Sequence, residues 1–194
     1  MAAVNVWKRG DRRAPHKPLL LLASIARAAS GHGREFSFVE VDEILRPLLQ
    51  EFGKPGARPQ PELPFWHLQT DGLWELHRSG ELIVSEPGAF PGRRVLRDEG
   101  YVGGLPTSAF QLLADDASLR RELATELLYR HFPETIHQHV LDAVGLTISD
   151  EQESATTRRR RDLRFRVRVL RAYERKCFVC GYGLWLDDRP VGLE

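Results

Sequence analysis

A histidine and a lysine stand between two prolines at the start of an apolar segment, APHKPLLLLASIARAA, residues 14–29. The apolar run predicts a helix over residues 18–29, with Pro18 at the first helical position, where its missing N–H costs nothing. A helix N-terminus exposes unpaired backbone N–H groups that suit a phosphate oxygen, and His16 and Lys17 add donors and charge there. The segment therefore predicts an anion site, although a solvated basic arm before a helix explains the same residues.

Further cations lie at both ends of the chain. The net charge is only +1, but basic ends flank an acidic middle, an arrangement that suggests an oriented polyanion-binding surface. The N-terminal cations that would contact phosphates are Lys8, Arg9, Arg12 and Arg13. The C-terminal segment RRRRDLRFRVRVLRAYERK carries apolar residues at helical spacing, so a nucleic-acid role and an ordinary solvated helix face both remain open.

The two cysteines, Cys177 and Cys180, form the sequence CFVCG. Two thiolates at this spacing followed by glycine are typical of a zinc knuckle, and redox use is the competing interpretation. One pair supplies half of a tetrahedral site. The sequence therefore predicts a partial structural zinc site and leaves open whether it is filled.

A mainly helical fold with one small β-hairpin must position these groups. The segment FWHLQTDGLWEL, residues 65–76, predicts the hairpin, with Asp71-Gly72 in its turn and its aromatic residues in the core. Leu63 and Pro64, at the end of a proline-rich loop, are expected to be exposed. They would form an apolar dimple beside the anion site.

The helices are predicted from their caps. Ser37 and Glu40 form a capping box for a helix that runs to about Phe52, and Asp116 caps a helix over about 117–131. Ser108 is expected to cap a short helix, and Pro133 to open one that ends at Gly145. The glycine- and proline-rich residues 87–106 are predicted to be mostly loop.

The chain of 194 residues is long enough for one good core and the beginning of another. We predict a compact helical domain over residues 1–146, a polar linker over 147–157, and a basic helix that starts a second module over 158–194. We find no signal peptide and no apolar run that spans a membrane, so a cytoplasmic location and no membrane partner are expected.

Three segments, RAPHKPLLLLASIARA, LPFWHLQTDGLWEL and FRVRVLRAYERKCFVCG...RPVGLE, occur in this order. Together they resemble modification-dependent restriction endonucleases in which a sulfur-binding domain precedes an HNH nuclease domain. The resemblance implies a partner, double-stranded DNA in which sulfur replaces one non-bridging phosphate oxygen. It also implies that residues 158–194 begin a zinc-containing HNH module of the ββα-metal type.

The resemblance also implies a set of site residues. His16 and Lys17 match the basic pair of the family, and Pro64 matches a proline of the sulfur cavity, with Leu63 and His67 beside it. Arg93 or Arg94 would touch the DNA. Two departures matter: the family pair is often His-Arg, and lysine lacks the planar guanidinium fork, while Leu63 stands where relatives carry an aromatic residue.

We expect no catalysis from these 194 residues, since the catalytic segment of an HNH domain is not among them. The full-length protein is expected to be an HNH-type DNA endonuclease that uses a divalent metal. A homodimer of the full-length protein is a further expectation. Two alternatives stay open: a winged-helix-like module that reads DNA sequence or methylation, and a zinc-dependent protein-interaction module. An enzyme built on His131, His137 and His139 is disfavoured, because no matching carboxylate constellation accompanies them.

Overall fold

The structure, a computed structural model, describes residues 15–84 and 89–148 in full. It also describes two pairs of short antiparallel strands by their backbone alone. Strand β1 (Lys8–Arg9) pairs with β2 (Arg12–Arg13). Near the other end, Leu184–Leu186 pairs with Arg189–Val191. The chain divides into two compact units, Met1–Ile148 and Ser149–Glu194, and the predicted domain limits remain predictions.

Helix α1 (His16–Ala29) is the central element of the first unit. Its apolar residues are buried almost all round, with Leu19 and Leu22 wholly inaccessible, as expected of a helix enclosed by others. The helix begins two residues before the predicted start, so Pro18 lies within the first turn. Proline fits there because the N–H groups of a first turn have no partner within the helix.

Helix α2 (Phe38–Phe52) confirms the predicted capping box. Strand β3 (Glu35–Ser37) leads into it. The Ser37 hydroxyl accepts a hydrogen bond from the Glu40 N–H at 3.2 Å, and the Glu40 carboxylate accepts one from the Ser37 N–H at 2.7 Å. The helix packs on α1 through residues that include Val41 and Leu45.

The predicted hairpin over residues 65–76 is wrong, because most of this segment is helical. Helix α3 (Glu62–His67) is followed by a 3-10 turn over Leu68–Asp71. Gly72, at φ +68°, ends the turn, whereas the sequence suggested that Asp71-Gly72 would join two strands. The aromatic residues of the segment are in the core as predicted: Phe65, Trp66 and Trp74 are all buried.

A four-stranded antiparallel sheet replaces the single predicted hairpin. Besides β3 it contains β4 (Glu75–Arg78), β5 (Glu81–Ile83) and β6 (Val102–Gly104), in the order β3-β6-β4-β5. The true hairpin, β4–β5, turns at Ser79 and Gly80, both at positive φ. At Gly103 an added Cβ would lie 2.4 Å from the indole nitrogen of Trp74, so glycine permits the close approach of strand and ring.

Residues 87–106, predicted to be mostly loop, contain helix α4 (Gly92–Asp98) as well as β6. The first two residues of this segment, 87 and 88, lie outside the described part. The isolated glycines suggested a loop. Gly92 instead takes φ +82° at the first position of α4, and the residues that follow it are helical. Leu96 anchors α4 in the core.

Three further helices complete the unit: α5 (Thr107–Asp115), α6 (Ala117–His131) and α7 (His137–Val144). The predicted Asp116 cap is confirmed, since its carboxylate accepts hydrogen bonds from two N–H groups of the first turn of α6. The predicted Ser108 cap is wrong, because Pro106 occupies the cap position of α5. A 3-10 turn separates Pro133 from α7, which ends at Gly145 as predicted.

Helices α1, α2, α5, α6 and α7 surround one apolar core, and α3 and α4 close it on the side that carries the candidate site. The mainly helical architecture is therefore confirmed. In the described part of the chain, none of the helices combines the length and the apolar character needed to cross a membrane.

Candidate nucleic-acid interface

The first turn of α1 is tied to the segment that follows α3. Lys17 Nζ donates a hydrogen bond to Asp71 Oδ2 at 2.7 Å, and the two side chains are 16% and 3% exposed. The predicted cation is therefore in place at the start of the helix but is already paired. Its partner lies in the 3-10 turn, and sequence reasoning missed it.

His16 is half-buried beside this pair. Burial lowers the pKa of its imidazole from the ordinary value, because a charged ring loses hydration there. The ring is therefore neutral near neutral pH and supplies one donor and one acceptor. His16 could therefore form a hydrogen bond with a ligand, but it does not supply a permanent positive charge.

Helix α3 changes the setting of the predicted dimple. Pro64 is buried and Leu63 is half-buried, so the expectation that both are exposed is wrong for Pro64. The cause is the helical conformation, which turns Pro64 and Phe65 toward α1 and α2. Leu63 keeps a partly accessible side chain. Of the two residues, Leu63 is therefore the one that could make an apolar contact with a ligand.

His67, at the last position of α3, is exposed and lies near Lys17. Partial burial, followed by the Lys17 charge, lowers the pKa of His67, and the Asp71 carboxylate opposes the shift. The imidazole lies over Phe90, with ring centroids 5.9 Å apart. Since Phe90 is 37% exposed, the two rings form an aromatic surface next to the Lys17–Asp71 pair.

A second group of cations lies around α4. Arg58, Arg93, Arg94, Arg97 and Asp98 line an open concavity of about 480 Å³. Arg93 and Arg97 donate to the same oxygen of Asp42, at 2.7 and 3.1 Å. Arg94 is 94% exposed and forms an ion pair with Asp98 at 3.4 Å.

Asp42 is the buried centre of this group, only 5% exposed. Its other carboxylate oxygen accepts a hydrogen bond from Arg46 at 2.5 Å. Burial alone would raise the pKa of Asp42, but the hydrogen bonds from Arg93 and Arg46 outweigh it and lower the pKa. Of the two arginines predicted as DNA contacts, Arg93 is thus engaged with buried Asp42, whereas Arg94 is exposed and pairs with the exposed Asp98.

Arg58, Arg97 and Asp42 were not among the site residues predicted from the sequence. The signal was present in GRRVLRD, where arginines at helical spacing would share a face. It went unused because residues 87–106 were expected to be mostly loop.

The other predicted site residues lie outside the described side chains. They are Lys8, Arg9, Arg12, Arg13, Cys177 and Cys180. Over the described residues, no group of three His, Cys, Asp or Glu side chains is placed to hold a metal. His139, one of the disfavoured catalytic histidines, is buried, with Nε2 2.6 Å from Glu51 Oε1.

Fold and site together define a small, mainly helical domain with a four-stranded sheet, a lysine–aspartate pair beside two histidines, and a group of arginines around α4. Residues 1–149 match the family described as ScoMcrA-like, DNA sulfur-binding domain. The chain belongs to this family.

Solved structures of the family resemble the chain closely enough to compare. A sulfur-binding domain of ScoMcrA complexed with phosphorothioated DNA is 25% identical, with a TM-score of 0.63, and the match covers 74% of this chain and 90% of that one. The sulfur-binding domain of SprMcrA, also complexed with phosphorothioated DNA, is 27% identical, with a TM-score of 0.61 and coverages of 74% and 88%. No curated protein matches the sequence.

A larger structure shares the fold alone. The Type IV phosphorothioation-dependent restriction endonuclease ScoMcrA is 24% identical, with a TM-score of 0.60. The match covers 74% of this chain but only 31% of that one.

Proposed function

We propose that this chain binds double-stranded DNA that carries a phosphorothioate, and that it does so through the meeting point of α1 and α3. The observation that carries the proposal is the position of Lys17 beside Asp71 and His67, in a chain of the sulfur-binding family. Two related domains were solved with phosphorothioated DNA. The sulfur-contact residues would be His16, Lys17, Leu63 and His67, with buried Pro64 supporting Leu63 from within α3.

The chemistry of the site suits sulfur better than oxygen. A phosphate oxygen is strongly hydrated, and an apolar surface beside it offers no replacement for the lost water. Sulfur is larger and more weakly hydrated, while the linkage keeps its negative charge. Leu63 would meet the sulfur, and Lys17 would meet the charge, so that one site recognises both properties.

The expected discrimination is moderate. Burying roughly 40–80 Å² of sulfur surface at about 25 cal/mol per Å² gives about 1–2 kcal/mol, or about ten- to thirtyfold in affinity. Stronger selectivity requires a cost for placing a hydrated oxygen at the same position. The lowered pKa values of His16 and His67 limit the positive charge at the site, which weakens the attraction for either linkage and leaves the discrimination to the apolar contact.

The remaining cations would bind the backbone without reading sulfur. The register of β1 and β2 pairs Lys8 with Arg13 and Arg9 with Arg12, which places four cationic positions on one short ribbon. Such contacts give salt-dependent affinity that is largely independent of sequence. His67 is the candidate for a contact to a base edge.

The decisive measurement is the affinity for duplexes that differ at one linkage only. Fluorescence anisotropy should be recorded with the unmodified duplex, with a methylated duplex, and with each configuration of one phosphorothioate. We expect one sulfur configuration to bind more tightly than the other three duplexes. Equal affinity for all four would refute the proposal, and a preference for the methylated duplex would favour a methylation reader instead.

We also propose that the second unit begins a zinc-containing HNH module, which the DNA-binding unit directs to modified DNA. The Cys177–Cys180 spacing supports it, as does the antiparallel strand pair that follows the cysteines, Leu184–Leu186 with Arg189–Val191. A zinc ion there would hold the two thiolates together. Elemental analysis of the full-length protein should find zinc, and the double variant Cys177→Ser/Cys180→Ser should lose it. Unchanged zinc content in the variant would refute this assignment.

A further inference from the structure

The arginine concavity beside α4 is a separate cationic surface. Arg58, Arg94 and Arg97 offer guanidinium donors around an opening of about 480 Å³, and Asp98 is the acidic residue on its lining. Guanidinium groups match the paired oxygens of a phosphate. The concavity therefore has the charge and the donor geometry of a phosphate site.

The buried carboxylate of Asp42 organises this surface. It accepts hydrogen bonds from Arg46, Arg93 and Arg97, so one negative charge fixes three positive ones and leaves an excess of positive charge. Arg93 and Arg97 are four residues apart, on the face of α4 that meets Asp42. Arg94, the next residue after Arg93, lies on another face and extends into solvent. Fixing the neighbours in advance reduces the entropy lost when a phosphate binds.

The concavity and the Lys17 site lie toward opposite ends of α3. The charge of Glu62, the first residue of α3, contributes to raising the pKa of Arg93, after the Asp42 hydrogen bond and charge. At the last residue of α3, the charge of Lys17 contributes to lowering the pKa of His67. A six-residue helix is about 9 Å long, since each residue rises about 1.5 Å. This length corresponds to about three steps of one DNA strand, which carries one charge per about 3.4 Å along the axis.

We propose that the arginine concavity is a second phosphate site, which holds the DNA backbone about three or more nucleotides from the linkage bound at Lys17. Arg58, Arg94 and Arg97 bind the phosphate, and Arg93 positions α4 through Asp42. This inference rests on the proposed function. The second site strengthens binding to modified and unmodified DNA alike, because an ordinary phosphate occupies it in both cases.

The test compares the double variant Arg58→Gln/Arg94→Gln with the wild-type chain on matched duplexes, with and without one phosphorothioate. Affinity is measured by fluorescence anisotropy over about 50–200 mM salt, the range in which phosphate contacts change affinity most clearly. The slope of log affinity against log salt should decrease in magnitude by about 2, or about 1 for each lost contact. The ratio of the two affinities should not change. Arg130→Gln, on α6, is the control for loss of a positive charge.

A second measurement locates the contact on the DNA. Uncharged methylphosphonate linkages are introduced singly at successive positions on either side of the phosphorothioate. At the position that faces the concavity, the wild type should lose affinity while the double variant should not. Unchanged slopes in the double variant, or equal methylphosphonate effects in both proteins at every position, would overturn the inference. If the wild type does not distinguish sulfur from oxygen, the proposed function fails, yet a reduced slope in the variant still supports the second phosphate site.

Discussion

Lys17 Nζ lies 2.7 Å from Asp71 Oδ2 although 54 residues separate them in the chain. The pair joins the first turn of α1 to the 3-10 turn after α3, and the Asp71 side chain is only 3% exposed. A DNA phosphate that approaches Lys17 therefore meets a cation whose charge is already balanced. If this surface binds DNA as proposed, Asp71 would reduce the attraction of Lys17 for any phosphate.

The variant Asp71→Asn should bind both duplexes more tightly, with little change in the ratio of the two affinities. Removal of the carboxylate leaves the Lys17 charge uncompensated, so we expect a severalfold gain for each duplex at low salt and a steeper salt dependence. Anisotropy titrations with both duplexes measure the change.

Glu122→Gln, which removes an exposed acidic residue on α6, is the matched control for net charge. If Asp71→Asn weakens binding to both duplexes instead, Asp71 acts by holding Lys17 in position and does not compete with the phosphate. A thermal melt of each variant detects any loss of folding.

The variant Leu63→Ser should lower the preference for modified DNA more than it lowers binding to plain DNA. The half-buried leucine would contact the sulfur, and a hydroxyl there restores a hydrated surface that suits oxygen equally well. We expect the affinity ratio to fall by about tenfold, which corresponds to about 1.4 kcal/mol.

Leu82→Ser removes a comparable side chain from the exposed face of β5, and it should leave the ratio unchanged. Equal losses on both duplexes with Leu63→Ser would place Leu63 in general DNA contact and not in the sulfur pocket. Pro64 is a poorer test, because it is buried in α3 and its replacement would disturb packing.

Local signals in the sequence were sufficient for some elements and misleading for others. Ser37 with Glu40, and Asp116 with the first turn of α6, satisfy backbone groups only a few residues away. A motif of this kind depends little on the rest of the fold, and both caps were predicted. The segment around α3 was not, because its aromatic residues and Asp71-Gly72 fit a strand-turn-strand pattern equally well.

The functional surface depends on contacts that no local pattern reveals. Asp42 and Arg93 are 51 residues apart, and their ion pair determines which of two adjacent arginines remains exposed. His16 and Lys17 were recognised as candidates from their place before a helix. The pairing of Lys17 with Asp71 and the lowered pKa of His16 follow only from tertiary packing.

Acid should strengthen binding to both duplexes. Burial lowers the pKa of His16, and burial together with Lys17 lowers that of His67, so both rings become charged only below the ordinary histidine range near pH 6.5. From about pH 8 to about pH 5 the site gains positive charge. Affinity for both duplexes should rise, with little change in the ratio of the two affinities.

The double variant His16→Gln/His67→Gln should lose most of this pH dependence, while His32→Gln, at an exposed position, should retain it. The same shifts affect stability in the opposite direction. The unfolded chain takes up these protons at a higher pH than the folded chain does, so stability is full above about pH 6.5 and decreases as the pH falls below that value. Binding that does not respond to pH in the wild type would show that neither histidine lies near the DNA.

The variant Asp42→Asn should be less stable than the wild type, and the difference in stability should be largest at neutral pH. Three arginines lose a shared buried partner, and we expect the free energy of unfolding to decrease by about 1–3 kcal/mol at neutral pH. Because the pKa of Asp42 is lowered in the folded state, its contribution is complete above its ordinary pKa of 3.8 and is lost as the pH falls through the lowered value. Urea titrations of both proteins near neutral pH and in acid should therefore show a difference in stability that shrinks in acid. Asp98→Asn, on the exposed rim of the same concavity, should change stability little, and an equal effect of the two variants would contradict the role assigned to Asp42.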